Sequence, residues 1–277
     1  MTSRYGLGDF RKMKAAGERI AMLTAYNAWQ ARLAEGAGAE MLLVGDSLGM
    51  VEHGLPDTLG VSMEMMVLHC AAVARGAEKA FLVGDLPFMS YEANDGEAVR
   101  NSGRLLREGR VQAVKLEGGT NRAGTIRAIV RAGIPVMGHV GLTPQSSIAL
   151  GGFKVQGKDR ESALRVFNDA KAVAEAGAFA VVLECVPAPL AKAITETLPI
   201  PTIGIGAGSY CDGQVLVLHD VLDLYGAFRP KFVKVYTEGA KIVNEGLSAY
   251  VAEVKAGTFP DEAHSFSMDP SLLEELA

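Results

Sequence analysis

Aromatic residues are scarce, at 6% of 277 with a single Trp, and there are only three cysteines. Positive charge is in deficit too, with 27 Lys and Arg against 32 Asp and Glu, a net charge of −5. That balance argues against a nucleic-acid partner or an anionic membrane surface, since both require a basic face. Cys70, Cys185 and Cys211 are odd in number, far apart and in no C-x-x-C pair, which excludes a disulfide scaffold. Each reads as a small buried hydrophobe in a reducing compartment. No apolar run approaches the length of a membrane span. The opening MTSRYGLGDFRKMKAAGERIAM has no uninterrupted apolar core and is not read as a signal peptide. What is abundant is small and aliphatic: 49% of residues are hydrophobic and 32 are glycine, against an average glycine usage of roughly 7%. Such a composition suits helices packed closely on a parallel sheet. A mean hydropathy of +0.17 without a membrane span points to apolar surface buried between subunits. A soluble, cytoplasmic homo-oligomer is expected.

Short apolar runs recur along the chain, each closing on Gly or a polar residue. They predict strands over Ile20–Tyr26, Met41–Gly45, Phe81–Gly84, Ala113–Leu116, Pro135–Gly138, Ala180–Leu183, Thr202–Ile205 and Val215–Leu218. Between most of them, apolar residues at three- and four-residue spacing predict helices over Trp29–Ala37, Met63–Arg75, Gly96–Glu108, Ala123–Ala132, Glu161–Ala176 and Pro189–Leu198. Ser62 is placed to cap a helix, and Gly36, Gly76, Gly109, Gly133 and Gly177 to close helices through the left-handed region. Eight strands alternating with helices, at about 28 residues per unit, predict a single (β/α)8 TIM barrel with an additional C-terminal helix and tail; an open doubly wound sheet is the alternative. The expected domain is one catalytic barrel, 1–277, with its core at about 18–236 and helix and tail over 237–277. Gly141–Arg160, long and Gly-rich, is a candidate lid. An amphipathic helix is expected over Glu238–Lys255, and the polar stretch after it reads as a packing arm or a disordered end.

In such a barrel the C-terminal strand ends carry the chemistry. Here they bring Asp46, Asp85, Lys115, Glu117, His139 and Glu184 to one mouth. Asp46, Asp85 and Glu117 suit a hard divalent cation such as Mg2+, although each could instead cap the following helix. Lys115 and Glu117, two apart, share one strand face. Lys115 either stabilises a substrate carboxylate or enolate oxygen or forms an ion pair with Glu117. Glu184 ends the apolar run AFAVVLE, surroundings that suit a general base or acid, with a structural carboxylate as the competing role. His139, between the glycines at 138 and 141, reads as a hydrogen-bonding partner of the site more than as a catalyst. The GIGAG turn at 204–208 is a weak phosphate-loop signal. His219 and Asp220 read as a strand-end cap, with a mutual pair as the alternative, and Lys154, Lys158 and Arg160 as solvated cations, with contact to an anionic cosubstrate tail as the alternative.

Eight segments occur in one order: GDSLGM (45–50), DLPFMSY (85–91), VKLEGG (114–119), GHVGLTPQ (138–145), GGFKVQG (151–157), LECVP (183–187), IPTIGIGAG (200–208) and DGQVLVLHD (212–220). Together they resemble the 3-methyl-2-oxobutanoate (ketopantoate) hydroxymethyltransferase family, over about residue 7 to the HSF at 264–266. The resemblance implies a (β/α)8 barrel that transfers a hydroxymethyl group from 5,10-methylenetetrahydrofolate to 3-methyl-2-oxobutanoate. The product would be 2-dehydropantoate, reached through a Mg2+-stabilised enolate, for pantothenate synthesis. It implies Asp46 and Asp85 as Mg2+ ligands with Glu117 at or near the metal, directly or through water. It further implies Ser47, Asp85 and Lys115 on the keto acid, Glu184 as proton acceptor, and large oligomers, often decamers. Asp46 and His139 are counted with the substrate-binding residues. The alternatives are another Mg2+-dependent 2-oxo-acid barrel of the lyase or mutase type, and a non-catalytic 2-oxo-acid sensor.

Overall fold

The computed structural model describes residues 4–226 and 229–273. Eight parallel strands close into a barrel in chain order: β1 (Ile20–Thr24), β2 (Met41–Val44), β3 (Phe81–Asp85), β4 (Ala113–Glu117), β5 (Val136–Gly141), β6 (Ala180–Glu184), β7 (Thr202–Ile205) and β8 (Gly213–Leu216). Closure decides against the open sheet. The helices are α1 (Leu7–Ala16), α2 (Ala28–Gly36), α3 (Leu48–Val51), α4 (Met63–Gly76), α5 (Asp95–Arg107), α6 (Ala123–Arg131), α7 (Arg160–Glu175), α8 (Ala188–Thr197), α9 (Leu218–Val221) and α10 (Gly239–Ala256). None of the described helices is long and apolar enough to cross a membrane.

Strand alternation sorts the apolar residues into two cores. One fills the barrel interior with Ile20, Met22, Met41, Leu43, Phe81, Val83, Ala113, Met137, Val182 and Ile203. The other lies between strands and helices, with Leu42, Leu82, Val114, Leu116, Val181 and Leu183 facing Met66, Val73, Ile126 and Ile194. Helix α1 closes the N-terminal end: Phe10 is fully buried and meets Phe81 edge-on at 5.4 Å, and Phe81 meets Phe179 at 5.6 Å. The apolar plug at that end leaves polar inward positions to the opposite mouth.

Ser62 caps α4 as expected, its hydroxyl accepting from Met65 N at 3.2 Å. Of the five expected left-handed glycines only Gly133 and Gly177 are so (φ +84° and +97°), and Gly38 takes that role after α2. Gly76 and Gly109 are required for space: a Cβ would lie 2.1 Å from Ala28 O at the first and 2.6 Å from Leu105 O at the second. β8 begins two residues before the apolar run that predicted it, because Gly213 lets the chain press against Ile20, whose carbonyl a Cβ would meet at 2.5 Å. Cys70 and Cys211 are buried, whereas Cys185 is half-buried with φ 48°.

Candidate active site

Inward positions of neighbouring strands build the mouth. On β3, Phe81 and Val83 fill the barrel interior and Asp85 follows with the same parity. On β4, Ala113 leads to Lys115 and Glu117; on β5, Met137 to His139; on β6, Ala180 and Val182 to Glu184. The register sets Asp85 beside Lys115, Glu117 beside His139 and Gly141 beside Glu184. Asp46 follows β2, and its backbone N–H donates to Asp85 Oδ2 at 3.2 Å.

Lys115 Nζ lies 2.5 Å from Asp85 Oδ1, with both side chains almost wholly buried. The ion pair is therefore with Asp85 and not with Glu117. Burial disfavours the ammonium, but Asp85, Asp46 and Glu117 outweigh it and hold Lys115 above its ordinary range. Burial raises Asp46 to about 6, helped by Glu117 and opposed by Lys115. Burial likewise raises Asp85 to about 6; Lys115 opposes this and Asp46 reinforces it. One ammonium does not compensate this many carboxylates.

His139 bridges the two glutamates. Its Nε2 is 3.0 Å from Glu184 Oε2 and its Nδ1 is 3.5 Å from Glu117 Oε1 and 3.4 Å from Lys115 Nζ. Burial and Lys115 work against its charge, yet the two glutamates prevail and raise it to about 9. Glu184 keeps 15% side-chain exposure where His139 and Glu117 have 3% and 2%, so it is the more open acid of this trio. Ser47 is half-buried at the rim, its Oγ 2.9 Å from the hydroxyl of buried Tyr26.

Gln145, in the lid segment, was not singled out from sequence as a site residue. It is 5% exposed, and its Nε2 donates to Asp46 Oδ2 at 2.8 Å and to Leu86 O at 3.0 Å. Its backbone N–H donates to Glu117 Oε2 at 3.0 Å, and its Oε1 accepts from Tyr91 OH at 2.7 Å. One residue thus ties the base of the lid to two of the acids; its place in GHVGLTPQ was the only signal. The far end of the segment is held by Gln156 N–H donating to Cys185 O at 2.9 Å, while Ile148 and Phe153 between them are exposed. Gln145→Leu is expected to loosen this segment, increasing proteolytic cleavage between 146 and 156 and weakening divalent-cation binding about tenfold, measured by limited proteolysis and titration calorimetry.

Not every polar strand end joins the mouth. His219 does not act as a strand-end cap: it lies in α9, its Nε2 3.3 Å from Glu52 Oε1. Lys154, Lys158 and Arg160 are all exposed.

The donor set fits Mg2+. Four carboxyl groups, those of Asp46, Asp85, Glu117 and Glu184, surround Lys115 and His139, and a divalent cation would supply positive charge to this excess of acids. Glu117 Oε1 is buried without a hydrogen bond. No three His, Cys, Asp or Glu side chains among the described residues form a cage for one ion. Mg2+ takes oxygen ligands, usually one or two carboxylates with water and substrate filling the rest of its octahedron.

A family model described as ketopantoate hydroxymethyltransferase matches residues 4–262. A curated protein of Carboxydothermus hydrogenoformans named 3-methyl-2-oxobutanoate hydroxymethyltransferase is 56% identical over 273 residues, 99% of each chain. One of the same name from Clostridium kluyveri is 52% identical, covering 99% of this chain and 98% of its own. Among solved structures, a phosphonopyruvate hydrolase superposes with a TM-score of 0.62 at 14% identity, covering 99% of this chain and 94% of its own. A 2,3-dimethylmalate lyase of the PEP mutase/isocitrate lyase superfamily does so with 0.57 at 16%, covering 100% and 95%. These two share the fold and no more, so the barrel by itself does not separate lyase from transferase; the near-full-length sequence matches do, and the chain belongs to the ketopantoate hydroxymethyltransferase family.

Proposed function

We propose that this enzyme transfers a hydroxymethyl group from 5,10-methylenetetrahydrofolate to 3-methyl-2-oxobutanoate, giving 2-dehydropantoate for pantothenate synthesis. The observation that carries the reading is the buried Asp46–Asp85–Lys115 cluster set beside the His139–Glu184 pair at the C-terminal mouth. A lyase or a sensor leaves the family assignment without its chemistry, and a sensor has no use for a base.

Asp46 and Asp85 would hold Mg2+, with Glu117 reaching it directly or through water. The cation would supply Lewis-acid polarisation of the keto-acid carbonyl, worth several kcal/mol, and so favour the enolate. Lys115, kept charged by its acids, faces the negative charge that develops on the substrate oxygens, and Ser47 and Asp85 complete its seat. Glu184 takes the C3 proton, and His139 fixes its carboxylate from behind at 3.0 Å. The one water consumed cleaves both C–N bonds of the donor's methylene group, its oxygen staying on the carbon and its protons going to the nitrogens of the departing tetrahydrofolate. The nucleophilic carbon bonds to that carbon, and the proton taken from C3 ends on the new hydroxyl. Closure of the lid over the mouth excludes other water from the reactive donor.

Product forms from keto acid and donor only when Mg2+ is present; product without it overturns the metal assignment. The pH dependence follows from Asp46 and Asp85. Both are raised from 3.8 to about 6, so the metal-free protein gives up stability as pH rises from 3.8 through 6. Bound Mg2+ selects the ionised form and reverses that slope. Its affinity is expected to fall about tenfold per carboxylate for each pH unit below about 6, read by titration calorimetry from pH 7 to pH 5.

We also propose a homo-oligomer, a decamer as in the resemblance, located in the cytoplasm. α10 buries none of its residues and exposes Ile242, Leu247, Tyr250 and Val254, while Trp29 and Leu33 of α2 and Leu68 of α4 are exposed on the barrel. An apolar helix face and apolar barrel helices of the same chain suit one another across subunits. Three unpaired cysteines suit a reducing compartment.

A further inference from the structure

Beside the acid cluster lies a cleft of about 280 Å3, bounded by the loop after β4, the base of the lid and the first turns of α7. We infer that this cleft seats the pterin ring of the one-carbon donor, with the donor's carboxylate tail crossing its rim at Arg165. The inference rests on the function proposed above and adds where the second substrate binds.

Position is the first argument. Glu117 belongs both to the acid cluster and to the wall of the cleft, so a ligand held there lies against the keto acid. A donor that must deliver a carbon to that substrate needs an approach of this kind. Lining is the second. The walls offer apolar surface for a flat heteroaromatic ring: Phe88, 38% exposed, from the β3 loop and Leu150 from the lid, with Tyr91 and Val166 of α7 buried behind them. The Arg122 guanidinium lies over the Tyr91 ring at 5.8 Å and brings a planar cation to the same wall. The volume is close to the lower limit of small-molecule pockets, roughly 300 Å3, enough for a bicyclic head and too small for the whole donor. The tail must therefore run outside.

Charge at the rim is the third argument. Arg165 is 64% exposed, and its acidic neighbour Glu161, 3.9 Å away, is 93% exposed. Such a solvated pair binds its members weakly, so Arg165 is free to meet an incoming carboxylate. The wall beneath it is fixed. Asp169 Oδ1 accepts from both the backbone N–H and the hydroxyl of Thr120 at 2.8 Å, and a Cβ on Gly119 would come within 2.1 Å of Asp169. Only glycine at 119 allows α7 to approach the β4 loop closely enough to form the cleft.

The test compares Phe88→Ala and Arg165→Glu with wild type, using mono- and pentaglutamyl 5,10-methylenetetrahydrofolate as donors and tetrahydrofolate as the binding probe. Arg165→Glu is expected to raise the donor KM about tenfold relative to the keto-acid KM, with the larger rise for the pentaglutamyl donor. Phe88→Ala is expected to weaken both donors and the probe about tenfold. Ratios within twofold of wild type for both variants overturn the donor seat. Exchange of the keto acid's C3 proton by wild type without donor is measured alongside. Its presence with unchanged donor ratios overturns the seat alone, and its absence overturns the proposed function together with the seat.

Discussion

Glu184→Gln is expected to lower kcat by about 10²–10⁴-fold, the range lost when a positioned general base is removed. Keto-acid and Mg2+ affinities are expected to stay within about threefold, because Gln keeps the shape of Glu184 and a polar contact to His139 while losing the basic oxygen. The geometry makes this separation of kcat from binding possible. Glu184 touches the cluster through His139 at 3.0 Å and takes no part in the Asp46–Asp85–Lys115 contacts, so its neutralisation leaves the keto-acid seat standing. Steady-state kinetics with parallel calorimetry checks it. Loss of binding instead of turnover would make Glu184 a ligand or a structural group.

Lys115→Met is expected to have the largest effect on stability. The ammonium and Asp85 are 2.5 Å apart with side chains 5% and 1% exposed, so the substitution leaves a buried carboxylate cluster without its cation. Removing one member of a buried pair costs about 3–5 kcal/mol. Part of that cost is avoided when Asp85 takes up a proton, which makes the loss smaller at acid pH and larger above it. Mg2+ is expected to restore most of the stability, since it supplies charge to the same acids. Thermal unfolding at pH 5 and pH 8, with and without Mg2+, reads all of these outcomes. An Lys115→Met protein as stable as wild type at pH 8 without metal would show that the cluster is not held as described.

What could be seen in the sequence follows from periods. The two-residue period of strands places Lys115 and Glu117 on one face, and continuing it from Phe81 and Val83 reaches Asp85. The alternation of strands and helices likewise predicts a barrel whose eight strands close in chain order. Pairing between strands is another matter. That Lys115 takes Asp85 in preference to Glu117 depends on the β3–β4 register, which no local pattern specifies. Gln145 was missed for a similar reason: its four hydrogen bonds reach back to Asp46, Leu86, Tyr91 and Glu117, and a glutamine in a loop gives no local sign of such partners. Gly76 and Gly109 end apolar helical stretches, so they read as turns, while the structure uses them as gaps that admit a neighbouring backbone. The shift of β8 has the same origin at Gly213.

The central claim is that this constellation makes the C3 proton of the keto acid removable without help from the donor. Proton exchange of 3-methyl-2-oxobutanoate in D2O, followed by NMR with enzyme and Mg2+ but no folate, measures it directly. The expected result is loss of the C3 proton signal at a rate proportional to enzyme, abolished by chelation and by Glu184→Gln. Exchange no faster than in buffer would contradict enolisation at this site.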